Sequence, residues 1–152
     1  MSKLEIICAI FALAGSASFA VLPAQGAPCR WATTNEASAA LGNPVAAGYA
    51  DAETCIFEGV ANDKEHIIMT VTRHTSEEAA GQLLDNFRRV RPNGSWVTGL
   101  GDGGALFFND KFGGILVLMK GKFSIQVEVN RYDRQDPLPG LKTLAVSIIA
   151  KI

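Results

Sequence analysis

Ile115-Leu116-Val117-Leu118-Met119-Lys120-Gly121-Lys122-Phe123-Ser124-Ile125-Gln126-Val127-Glu128-Val129-Asn130 is the stretch that decides the fold. Ile115 to Lys120 is a continuous apolar run, the pattern of a central strand. Lys120-Gly121 makes a tight turn. Phe123 to Asn130 then alternates, with Phe123, Ile125, Val127 and Val129 on one face and Ser124, Gln126, Glu128 and Asn130 on the other. Two such runs joined by a short glycine turn form an antiparallel hairpin. The polar face of the second strand should meet water or a partner.

Working outward, Gly104 to Phe108 reads as a third strand of this group, followed by a turn at Asn109-Asp110-Lys111. Two earlier strands are expected at Thr54 to Val60 and Glu65 to Arg73. Asn62-Asp63 turns between them, and Ile67, Met69 and Val71 point inward. Thr33-Thr34-Asn35-Glu36 has the form of a capping box, which predicts a helix over about Thr34 to Leu41, stopped by Gly42 and Asn43-Pro44. Thr75-Ser76-Glu77-Glu78 reads as a second box, opening a helix to about Arg91 with Ala80, Leu83, Leu84 and Phe87 as its apolar stripe. Arg88, Arg89 and Arg91 sit where they complement the dipole of that helix. Val45 to Ala52 lacks periodicity and is expected as a loop, and Asp133 to Pro139 as a connection. Leu141, Leu144, Ala145, Ile148, Ile149 and Ile152 mark a final amphipathic helix. The order α-β-β-α-β-β-β-α predicts an α+β fold, a five-stranded antiparallel sheet with its helices packed on one face. A length of 152 residues fits one domain, and 48% apolar against 19% charged residues excludes a disordered tail. A net charge of −1 argues against a dedicated nucleic-acid binder.

The first 26 residues read as an address. Lys3 precedes the apolar run Ile6 to Ala14, and small residues come after it. Cleavage is expected after Ala20 or after Gly26, leaving residues 27–152 as a single domain. The alternative is a retained anchor, because apolar character continues with interruptions to Leu22. Nothing after Leu22 is long and apolar enough to cross a membrane. Loss of the signal removes Cys8 and leaves Cys29 and Cys55, an even pair in an oxidising compartment. A Cys29–Cys55 disulfide is therefore expected, worth about 3 kcal/mol by chain entropy. The alternative is two buried thiols. Two cysteines with no second pair cannot complete a zinc site, and no cofactor is expected.

Gly99-Leu100-Gly101-Asp102-Gly103-Gly104 matches G-x-G-x-x-G literally. Its successor, Ala105-Leu106-Phe107-Phe108, reads as a strand, where a dinucleotide site needs a helix. The motif is expected to be a tight turn with positive φ angles; the alternative is that its free amides form a small anion or carboxylate pocket. Asp102 is expected to bond its own loop. His66 and His74 are too far apart along one strand to share a metal. Zincin, nucleophile-elbow, Walker and CxxC signatures are all missing from the sequence. Trp31, Tyr49, Trp96 and Tyr132 cover core edges or form an aromatic rim for a ligand. Asn93-Gly94-Ser95 is a formal glycosylation sequon.

Pro28-Cys29, Thr33-Thr34-Asn35-Glu36-Ala37, Ala40-Leu41-Gly42-Asn43-Pro44-Val45, Cys55-Ile56-Phe57 and Gly99-Leu100-Gly101-Asp102 before a hairpin together resemble a known group. They are similar to small exported bacterial domains of unknown function, common among actinobacterial lipoproteins and akin to extracellular sensor domains of receptor kinases. The resemblance implies an α+β sandwich, bridged cysteines and a binding or sensing role without catalytic residues. This chain departs from that group in lacking a lipobox at Cys29 and a disordered stalk, which favours a soluble periplasmic or extracellular form. The expected function is an exported non-enzymatic binding module for a small molecule or an envelope protein, with Gly99, Gly101, Asp102, Gln126 and Glu128 as candidate ligand contacts. The rivals are a small secreted inhibitor or interaction domain, and a hydrolase with no sequence signature.

Overall fold

A computed structural model describes residues 27–152; the expected signal segment lies outside them. Two antiparallel meanders stand side by side. The first holds β1 (Ala27–Pro28), β2 (Tyr49–Asp51), β3 (Thr54–Glu58) and β4 (His66–Arg73). The second holds β5 (Ser95–Val97), β6 (Ala105–Asp110), β7 (Gly113–Lys120) and β8 (Phe123–Asn130). The strand order is β1-β2-β3-β4-β8-β7-β6-β5, so β4 and β8 join the two meanders at the centre of one eight-stranded sheet. That seam runs its full length, from His66 opposite Asn130 to Arg73 opposite Phe123. Helix α1 (Thr34–Leu41) links β1 to β2, α2 (Glu77–Val90) links the meanders, and α3 (Leu138–Ile149) closes the chain.

The α+β class and the antiparallel sheet agree with expectation, but the sheet has eight strands and not five. The five expected strands are present. The additions, β1, β2 and β5, are two or three residues long. Such pieces are too short for alternation to register and exist because a longer neighbour offers its edge. Tyr49–Asp51 lies within the stretch expected as a loop. Helix α1 begins and ends as expected, with Thr33 and Glu36 forming the reciprocal cap. The α2 cap moves by one residue: Ser76, not Thr75, accepts from the Ala79 amide at 3.2 Å. Helix α3 starts at Leu138, earlier than expected, because Pro139 suits a first turn.

The helices do not share one face. Alternation splits the sheet into two surfaces. Ile67, Met69, Val71, Leu116, Leu118, Ile125, Val127 and Val129 pack under α1 and α3, together with Leu41, Leu141, Leu144 and Ile148. The opposite surface carries Leu106, Phe108, Ile115 and Val117, and α2 covers it with Leu84 and Phe87. The continuous apolar run of β7 supplies the reason. A strand apolar on both sides needs cover on both sides. The α2 cover ends near β8. Beyond it, Thr54, Ile56, Ile68, Thr70, Gln126 and Glu128 are half-buried.

Candidate functional site

The glycine loop is a clip. Gly99, Gly101, Gly103 and Gly104 all take positive φ, as expected. Gly101 demands glycine on two counts: φ is +60°, and a Cβ would sit 2.2 Å from the Met119 carbonyl oxygen. That approach brings Asp102 against the β7–β8 turn rather than its own loop. Its amide donates to Met119 O at 2.9 Å. Its Oδ1 accepts from Lys120 Nζ at 2.7 Å and its Oδ2 from the Gly121 amide at 2.6 Å. The Gly121 amide and then the Lys120 ammonium hold the Asp102 carboxyl below its ordinary range. Both oxygens thus have partners within the protein.

Gln126 and Glu128 occupy the other expected surface. They face the same side of β8, opposite Thr70 and Ile68 of β4 and Val117 and Ile115 of β7. The hairpin pair Lys120–Phe123, which Asp102 clips, lies three residues from Gln126, roughly 10 Å along the strand. The structure therefore places the glycine loop at a hairpin tip and the Gln126–Glu128 row in mid-sheet, as separate surfaces. Ser124, assigned to the wet face by its alternation, is only 3% exposed. It hydrogen-bonds His74 Nε2 at 2.7 Å, and the His74 amide donates to Lys122 O at 2.7 Å. A hydroxyl beside an imidazole has the spacing of a nucleophile and its base, but this hydroxyl is buried in the sheet. The pair closes the end of the β4–β8 ladder. No group of three or more His, Cys, Asp or Glu side chains among the described residues could hold a metal ion.

Cys29 and Cys55 form a disulfide, with Cα atoms 5.4 Å apart. It ties the segment after β1 to β3 across the short β2 and fastens the least-paired edge of the sheet. The pair is compatible with an oxidising compartment. None of the described helices is long and apolar enough to span a membrane.

The four aromatic residues do not form one rim. Trp31 is 6% exposed, with the Arg30 guanidinium 4.2 Å from its ring centre. Tyr49 lies on β2, and Tyr132 pairs with Phe112 at 5.1 Å between ring centres. Trp96, on β5 at the far edge of the sheet, is 48% exposed and stands beside the arginine-rich end of α2. In the sequence those arginines read as dipole partners and Trp96 as one of four aromatics covering core edges or forming a rim. The turn that joins them carries the link, and Pro92-Asn93-Gly94 is the signal for it.

The chain matches no family model and no curated protein at a meaningful level of similarity.

Proposed function

We propose that the chain is an exported, non-enzymatic binding or sensing module of the bacterial cell envelope, and that it meets its ligand on the sheet face around Gln126 and Glu128. The observation that carries this reading is the limited reach of α2. It leaves two half-buried isoleucines, Ile56 and Ile68, next to Thr70, Gln126 and Glu128, a mixture of apolar area and orienting polar groups. The Cys29–Cys55 bridge supports the exported setting. The internal commitments of Asp102 and the burial of Ser124 favour binding over catalysis.

Native mass spectrometry of the exported protein, beside an I68A/Q126A/E128A variant, tests the placement. A small-molecule companion in the parent spectrum that the variant loses supports it. A stoichiometric protein lost in the same way supports the alternative reading, an inhibitor or interaction domain using that face. A companion retained by the variant contradicts the placement.

A further inference from the structure

Helix α2 ends in Arg88-Arg89-Val90-Arg91, and Pro92-Asn93-Gly94 turns the chain back into β5. The turn builds a cleft of about 400 Å³ lined by Arg88, Arg91, Pro92, Gly94, Trp96 and Leu106. The Arg88 guanidinium lies 5.9 Å from the centre of the Trp96 ring, and that of Arg91 lies 5.8 Å from the centre of the Phe108 ring. Two glycines make the room. A Cβ on Gly104 would come 2.8 Å from the Trp96 indole, and one on Gly94 would come 2.4 Å from Phe108. The ion pairs among the described residues are Lys120–Asp102, Arg131–Asp133 and Lys151–Glu36, so no carboxylate among them neutralises Arg88 or Arg91. Helix-dipole compensation accounts for basic residues at this end. It does not account for an indole left half in water in the same cleft.

We propose that this cleft binds a small organic anion, a phosphate ester or carboxylate carried on a flat ring. Arg88 and Arg91 take the anionic group through their planar, multi-donor guanidiniums. The exposed part of the Trp96 indole packs against the ring. The concavity and size fall in the range of small-molecule sites rather than of flat protein interfaces. A net charge of −1 supplies no long-range attraction, so the local guanidiniums must provide the affinity and it must fall with salt. The cleft is distinct from the sheet face of the previous proposal. The row Gln126–Val117–Leu106–Trp96 separates them by three strand spacings, roughly 14 Å, with α2 in between.

Phenyl phosphate is the probe, with inorganic phosphate and phenol as its separate halves. Each is titrated by calorimetry and tryptophan fluorescence into the disulfide-intact protein at low salt. Trp96 is the responsive fluorophore, since Trp31 is buried. The expected result is saturable binding of phenyl phosphate, at least tenfold tighter than either half. R88Q/R91Q should weaken it at least tenfold and W96A at least fivefold. Q126A/E128A should leave it unchanged, so failure here and failure of the sheet-face proposal are read apart. Arg88, Arg91 and Trp96 are exposed and Gln126 and Glu128 half-buried, and circular dichroism confirms that each variant is folded. Absence of saturable binding overturns the proposal. So does an affinity unchanged in R88Q/R91Q, or binding confined to phosphatidylglycerol vesicles with no response to the free ester.

Discussion

At the scale of single residues, Glu36 does the most for its size. Its carboxylate accepts from the Ser147 hydroxyl, the Thr33 amide at 2.7 Å and Lys151 Nζ at 3.3 Å, binding the start of α1 to the end of the chain. Ser147 foremost, then the Thr33 amide, hold its pKa down from 4.5 to about 2. A depressed carboxylate contributes stability that is fully present above the unfolded value and is lost as pH falls through the folded one. Unfolding free energy should therefore decline between pH 5 and pH 2. The side chain is one-third exposed, so solvent screening reduces the contribution to about 1–2 kcal/mol. E36Q should show a flatter decline over that window by denaturant titration, and a parallel decline in both proteins would contradict the assignment. Gly101 makes a second residue-scale test. Gly99 has φ +80° and open space for a Cβ, whereas Gly101 has a carbonyl oxygen in the way. G99A should cost about 1 kcal/mol and G101A about 3 kcal/mol or more, because only the second must shift the β7–β8 turn. Equal costs would remove the clip as an explanation of the loop.

At the scale of elements, the disulfide and α2 carry the testable content. C29S/C55S should lower stability by about 3 kcal/mol, since 26 residues separate the cysteines. Limited proteolysis should then cut first around β1 and β2, the edge that the bridge secures. L84A should cost about 2–3 kcal/mol, because Leu84 is the buried centre of the patch that α2 makes with Leu106, Phe108, Ile115 and Val117. A helix outside the sheet's second face would tolerate that change almost freely. These elements also show what was legible beforehand. Long periodic strands and the Thr33 cap were readable because the signal is local: alternation in β8, a hydroxyl and a carboxylate three residues apart in α1. The edge strands were not, since a three-residue strand such as Ser95–Val97 is specified by the neighbour it pairs with. The side taken by α2 was half-legible. The unbroken apolar run of β7 demanded cover on both faces, but nothing in it names which helix supplies the second cover. For the candidate surfaces, Gln126 and Glu128 were readable from alternation. The destination of Asp102 was not, because its partners Lys120 and Gly121 lie 18 and 19 residues away in sequence.

For the whole molecule, two meanders sealed at β4–β8 leave one sheet face closed by α1 and α3 and the other only half closed by α2. The closed face holds the main core, and the half-open face and the Arg88–Trp96 cleft are the two surfaces of different chemistry that we propose for binding. An envelope role requires that the chain leave the cytosol and that its two remaining cysteines join there. Intact-mass spectrometry of the protein from its native host, after alkylation without reduction, measures this directly. The expected species begins at Val21 or Ala27, is lighter by two hydrogens and carries no alkyl group. A full-length chain of 16.2 kDa with Cys8, Cys29 and Cys55 all alkylated would contradict both export and the bridge.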